Sequence, residues 1–271
     1  MLDIIPVFSS DASIGRAILV TDYDESKEKI DLNAPVSIFN IIKDYNINPF
    51  FLLEDSFTSF ITSFKNAQKL NKQLIFGIRL IIAEDSTDNS DASLKTESIV
   101  NIWIKNSEGY TDLIKLYSAI HAVKERYIWD KGEREGHQRG DWKLLQDYFS
   151  DNLLLTIPFY SSFLNLNLLK YSHRAIPKFG KIKPIFHIEN HELPFDHLIE
   201  KSVRNYCKSM DYDILNSHQI YYYRNCDVFP MQTMRCVINR SILDSPNLNH
   251  FSSDKFSFES YLDKIGAKLH E

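Results

Sequence analysis

Six side chains able to bind a metal or move a proton fall at or near the ends of apolar runs: Glu54 and Asp55, His187, Glu189 and His191, and His218. Imidazoles and carboxylates together can hold two or three divalent ions, which activate water and neutralise charge on a phosphate leaving group. A metal-dependent phosphoesterase is the chemistry such a set would serve. A plainer reading of each residue, as a solvated loop side chain or a hydrogen-bonded partner, stands beside it. No GxGxxG, Walker loop, GxSxG or HExxH occurs, so nucleotide cradling and simple hydrolase chemistry have no anchor.

The elements that must position these residues alternate along the chain. Ile4–Val7 reads as a short strand, and Ser13–Val20 ends in β-favouring residues. Pro35–Tyr45 has a helical face of Ile38, Ile41 and Ile42, with Pro35 suited to a first turn. Pro49–Leu53 is a buried-strand pattern closing in Glu54-Asp55, and Phe57, Phe60, Ile61, Phe64, Ala67 and Leu70 form an amphipathic stripe. Leu74–Ile82 and Ile99–Ile104 predict further strands. After Asn-Ser-Glu-Gly, with Gly109 free to turn the chain, a helix is expected from Thr111. Further on come helix Trp142–Phe149, strand Leu153–Ile157, strand Ile185–Ile188, a helix over about Phe195–Lys208, strand Tyr212–Leu215 and helix Pro230–Arg240. Two polar interruptions, Glu84–Glu97 and Asp130–Gly140, are expected to be solvated, the first as a mobile surface loop.

Apolar strands alternating with amphipathic helices argue for a mainly parallel α/β arrangement, and about seven β-α units suggest a barrel. Functional groups of such barrels collect at the C-terminal ends of strands. At 271 residues the chain can bury one large core or two small ones, and the composition, 44% hydrophobic and 25% charged, is that of a globular chain. A formal charge of −5 opposes a broad nucleic-acid-binding face. Three cysteines without CxxC spacing fit reduced thiols better than a disulfide framework or a zinc knuckle. With no membrane-length apolar run and no signal-like N-terminus, a cytoplasmic protein is expected.

Several segments, in order, resemble the PHP (polymerase and histidinol phosphatase) domain of bacterial DNA polymerase III alpha subunits. Ile104–Ser118 and Asp141–Tyr148 look like its central β-turn-α unit and the helix before a central strand. Phe186–Pro194 is similar to its "ELQDHGLP" type of segment. Leu53–Asp55 falls where the family has Thr-Asp-His, Phe76–Arg79 where it has Gly-Cys-Glu, and Ser217–Tyr221 on Asn-Asp-Val-His-Tyr. The tail, Phe251–Tyr261, looks like the passage into the polymerase palm. The resemblance covers nearly the whole chain. It implies a distorted TIM-like (β/α)7 barrel over residues 1–240 and a C-terminal extension over 241–271.

It also implies a dismantled metal site. Family histidines of an HxHxH strand fall on Ile4, Pro6 and Phe8, the Gly-x-Glu carboxylate on Arg79, and the final Asp and His on His218 and Ile220; a family cysteine falls near Phe159. A guanidinium about 4 Å from a dication would cost roughly 8 kcal/mol at an effective dielectric near 20. Arg79 could instead pair with Glu54 or Asp55. Glu54, Asp55, His191 and His218 remain as weak candidate ligands, enough for at most one divalent ion (Zn or Mn). The resemblance thus implies a catalytically degenerate domain, free-standing or split from its polymerase module, with a structural, docking role in replication. Its partner would be a polymerase core module or another replication protein, with DNA touched only indirectly and no membrane involved. DNA-directed DNA polymerase activity would belong to a complex, since no aspartate-rich palm strand is present. The alternatives are a phosphoesterase or 3′–5′ exonuclease with a reduced metal site, and an unrelated barrel. For docking, the candidate apolar surface is Tyr221–Tyr223 with Phe251, Phe256, Phe258 and Tyr261; ordinary packing is the other use for these rings.

Overall fold

The apolar runs form a single hydrogen-bonded series of strands, and the 3.6-period stripes form the helices between them. The computed structural model describes residues 4–10, 18–20, 36–122, 127–128, 137–169, 174–239 and 253–269. Seven strands make the main sheet: β1 (Ile5–Phe8), β2 (Phe50–Glu54), β3 (Leu74–Ala83), β4 (Ser98–Ile104), β5 (Leu153–Ile157), β6 (Ile185–Ile188) and β7 (Asp213–Ile220). Their order is β2-β1-β7-β6-β5-β4-β3, and β3 pairs again with β2, so the series closes as a seven-stranded β-barrel. The two-residue strand Gly140–Asp141 adds to β3. Closure leaves no bare edge in the ring for another chain to pair with.

The direction of one strand departs from the parallel expectation. β1 is parallel to β7 and β2, and β5 is parallel to β6. β4 runs antiparallel to both neighbours, with Ile102 opposite Ile78 on β3 and Leu155 on β5. Antiparallel neighbours need only a return connection, whereas parallel ones need a full crossover. The 84–97 segment is such a return.

The helices are α1 (Ile38–Asp44), α2 (Phe60–Lys69), α3 (Asp91–Leu94), α4 (Ser107–His121), α5 (Trp142–Tyr148), α6 (Phe163–Leu169), α7 (Asp196–Met210), α8 (Val228–Asn239) and α9 (Phe258–Ile265). α4 begins four residues before the expected Thr111. Asn106 caps it, its side-chain oxygen accepting from Gly109 N at 2.9 Å. Gly109 therefore lies in the first helical turn and needs no left-handed conformation. Its lack of a side chain matters because a Cβ there would stand 2.4 Å from the Asn152 carbonyl oxygen.

By contact the chain divides into two compact units, and β3 and β7 each run through both. The first comprises Met1–Phe76, Glu189–Asp196 and Asn216–Glu271; the second comprises Gly77–Ile188 and His197–Leu215. The first has a core of Val7, Phe8, Phe39, Ile41, Phe50, Leu52, Ile220 and Phe258. The second centres on Ile78, Val100, Ile102, Leu113, Leu116, Leu155 and Phe163.

The 84–97 interruption is mostly exposed, as expected, with two buried serines; of Asp130–Gly140, residues 130–136 lie outside the described residues. Within the second unit the 84–97 segment carries α3 and buries Ser86 and Ser93. Arg139, from the other interruption, is 0% exposed. Its Nη1 donates to Glu97 Oε1 at 2.8 Å, its Nε to the Ser86 carbonyl at 3.4 Å, and its Nη2 to the Asp88 carbonyl. Glu97 also meets His137 Nε2 at 2.9 Å, and Ser86 Oγ donates to Asp141 at 2.6 Å. A guanidinium has five donors in a fixed fork, so one Arg satisfies carbonyls that a buried loop would otherwise strand. Charge composition alone shows no difference between this clamp and a solvated loop.

Arg139→Ala removes the donor to the Ser86 and Asp88 carbonyls, while Glu97 keeps His137. Leaving buried acceptors unsatisfied costs about 1–3 kcal/mol, so urea denaturation should show a loss of that size. A loss below about 1 kcal/mol would mean that the clamp contributes little.

Candidate functional site

Three turns of the first unit carry the expected site residues. The first follows β1. Ser9 Oγ donates to the Leu53 carbonyl at 2.6 Å, and Gln219 Nε2 donates to both Val7 O and Ser9 Oγ. Ser10 then donates its N–H to Glu54 Oε1 and its hydroxyl to Oε2, each at 2.9 Å. Glu54 at the end of β2 is thus buried and grips a serine through both oxygens. Asp55, next along, is exposed.

The second turn is Glu189–Asp196, between β6 and α7. Glu192 adopts a left-handed backbone (φ 59°), and the Asp196 carboxylate accepts from His191 N at 3.0 Å and Leu193 N at 3.1 Å. Those bonds curl the loop and turn the His191 ring inward, where it is fully buried. His187, a strand residue of β6, is buried as well.

The third is the C-terminal segment from Ser253 into α9. It continues the sheet beyond β7: Tyr221 N donates to Phe256 O, Phe258 N to Tyr222 O and Glu259 N to Tyr223 O, at 2.9–3.0 Å. This places two carbonyls of the segment against the two imidazoles. His191 Nδ1 lies 2.8 Å from Lys255 O, and His218 Nε2 lies 3.2 Å from Ser257 O. Carbonyls only accept, so both nitrogens carry protons. The Phe256 ring stacks on His191 with centroids 3.8 Å apart and planes 8° from parallel. The two imidazole centroids are 4.5 Å apart.

The remaining nitrogens are also engaged. Lys264 of α9 donates through Nζ to His218 Nδ1 at 2.9 Å and to the Asn190 carbonyl. His191 Nε2 faces Glu189 Oε2 at 2.7 Å, so one proton must lie between those two atoms. Burial, with the Lys264 charge, holds the pKa of His191 well below the usual histidine range and disfavours placing that proton on the ring. Burial likewise depresses His218, helped by His191 and Lys264. The Lys264 ammonium is lowered by burial too, an effect that Glu189, Glu192 and Asp196 partly offset.

The structure therefore brings His191 and His218 together and joins Glu189 to them, while Glu54 bonds to the turn after β1. Among the described residues no group of three or more His, Cys, Asp or Glu converges where a metal ion could sit. Where ligands were expected to be lost, Pro6 stands in register with His218, and Phe8 with Ile220 and Leu52. Phe8 is fully buried with its ring centroid 6.1 Å from that of Phe258, so hydrocarbon meets α9 there. Arg79 lies on β3 opposite Asn101 and is partly exposed.

The aromatic docking patch expected from the sequence is buried instead. Tyr221, Tyr222, Tyr223, Phe256, Phe258 and Tyr261 are all 8% exposed or less, and Phe251 lies outside the described residues. Fully burying one such ring contributes about 2–3 kcal/mol. The rings serve to fasten the C-terminal segment within its own unit. Lys264 and the carbonyls of Lys255 and Ser257 were invisible to sequence reasoning. Main-chain acceptors carry no residue signature, and a lysine on an amphipathic helix looks like any solvated cation.

No protein-family model matches the chain, and no curated protein does. Among the described residues no helix is long and apolar enough to cross a membrane.

Histidines whose pKa is depressed by folding bind protons more readily in the unfolded chain. Stability should therefore decline on acidification below the ordinary value of 6.5. The expected slope is about 1.4 kcal/mol per pH unit, from His218 alone, because the folded His191–Glu189 pair already holds the proton that unfolded His191 would bind. Denaturant melts between pH 7.5 and 5 test this, and a His218→Gln variant should show a shallower decline. A profile flat to pH 5 would contradict the assignment of a buried neutral imidazole at His218.

Proposed function

We propose that the chain is a PHP-like domain of a DNA polymerase III alpha-type replicative polymerase, degenerate at its ion site and structural in role. The observation that carries this reading is the commitment of all four imidazole nitrogens of His191 and His218. They meet two carbonyls of the C-terminal segment, Glu189 and Lys264, with none facing an open mouth. A general base or a metal ligand needs a lone pair free to reach substrate or ion. Here the strand-end residues hold a stretch of chain, and that stretch resembles the lead-in to a polymerase palm.

In this reading the barrel is the TIM-like (β/α)7 variety of the family, with β4 reversed. It binds a polymerase core module or another replication protein and meets DNA only through that partner. Catalysis of DNA synthesis belongs to the complex. The seat formed by His191, His218 and Phe256 sets where the chain leaves the barrel, and so how a following or neighbouring module is placed.

Metal analysis of the purified full chain, after incubation with Zn and Mn and gel filtration, should give well under one ion per chain. Hydrolysis of a simple phosphodiester should match the buffer blank, in wild type and in His191→Ala alike. Two or more bound ions, with turnover lost in His191→Ala, would replace this reading with the phosphoesterase one. A polymerase module lacking its own N-terminal domain should form a stoichiometric complex with the chain on gel filtration.

A further inference from the structure

Helix α2 of the first unit buries a different face from the one its sequence offers. An apolar stripe such as Phe57, Phe60, Ile61, Phe64, Ala67 and Leu70 ordinarily turns to the core. The buried residues of α2 are instead Ser63, Asn66 and Ala67. Ile61 is 53% exposed and Phe64 46%. The buried Ser63 hydroxyl has no hydrogen-bond partner among the described residues. The inner side of the helix thus tolerates an unsatisfied polar atom while two large apolar side chains stand in solvent. Those outer side chains are tied to the core: Phe64 stacks on Phe60 with centroids 6.0 Å apart, and Phe60 meets buried Phe76 edge-on at 5.0 Å.

The spacing along α2 sorts its outer face into strips. Ile61 lies at the centre, Phe60 and Phe64 on one flank, and Lys65 and Lys69 on the other. Among the described residues neither lysine makes a hydrogen bond or ion pair. Their charge is not offset nearby in the sequence: from Ser56 to Ala83 there is no Asp or Glu, in a chain of formal charge −5. An apolar strip beside a cationic one is the complement of a helix that carries an apolar strip beside carboxylates. Other occupants match less well. About half of two side chains of roughly 200 Å² each leaves an apolar patch of about 200 Å², against about 800 Å² per partner in a stable dimer. A second copy would also set lysine against lysine. A nucleic acid or an anionic lipid surface meets the negative charge of the whole chain, whereas a short helix feels only charges within a Debye length of about 8 Å.

We infer that the outer face of α2 docks a short amphipathic acidic helix of another protein, its apolar residues on Ile61 and Phe64 and its carboxylates on Lys65 and Lys69. Covering the two apolar side chains supplies the attraction, and the lysines, one turn apart, decide which flank of the incoming helix must be acidic. The inference rests on α2 alone and not on the replication reading. Its failure leaves that reading standing, and the failure of that reading leaves this one.

The test is fluorescence anisotropy of the full chain with a labelled helical peptide of about 14 residues, or about four turns. It carries leucines at i, i+3, i+4 and i+7 and glutamates on one adjoining flank. Saturable binding is expected, weakened at least about tenfold in Phe64→Ser and in Lys65→Glu/Lys69→Glu. All three positions are exposed, so both variants should keep the wild-type circular dichroism spectrum. A peptide with its leucines scattered round the helix, and one with lysine in place of glutamate, should each bind at least about tenfold more weakly. No saturation at millimolar peptide would overturn the inference, as would equal affinity for either control. Binding to phosphatidylserine vesicles or to a short oligothymidylate, lost in the lysine double variant, would overturn it in favour of a polyanion. A dimer in analytical ultracentrifugation that Phe64→Ser dissociates would overturn it in favour of a second copy.

Discussion

A buried imidazole has two nitrogens, and in a dry interior each needs a partner or incurs the cost of desolvation. His191 and His218 lie in contact at the end of one unit, so four such atoms must be satisfied in a small volume. The structure meets that constraint with the C-terminal segment: carbonyls of Lys255 and Ser257 take the two N–H groups, and Lys264 supplies a proton to the one remaining lone pair of His218. Phe256 covers the face of His191, and Phe258 reaches Phe8, Tyr45 and Tyr223. The route of the last described residues is set by these contacts more than by the helical preference of α9.

The same requirement shapes the second unit through a different residue. Arg139 is buried because the 84–97 return exposes carbonyls that neither strand nor helix satisfies, and a guanidinium can bond several at once. A charged residue inside and polar residues around it thus replace apolar packing where the chain has no regular structure. His191, His218 and Arg139 are polar groups spent on holding backbone. In each case the residue types admit a catalytic role, and the bonds that they make leave little of their chemistry to a ligand.

Hydrophobic period alone was enough to place most strands and helices: Leu153–Ile157 and Ile185–Ile188 lie where the apolar runs predict them, and α5 and α7 within a residue or two. Periodicity is local, so it survives without knowledge of the fold. It also identified His191 and His218 as strand-end residues worth following. Tertiary structure alone decided what they do. Whether an imidazole faces an ion, a substrate or a carbonyl depends on segments far along the chain, here Lys255, Ser257 and Lys264. The burial of Arg139 and the reversal of β4 were equally closed to composition and period. Each is settled by long-range hydrogen bonds, whose partners no local pattern encodes.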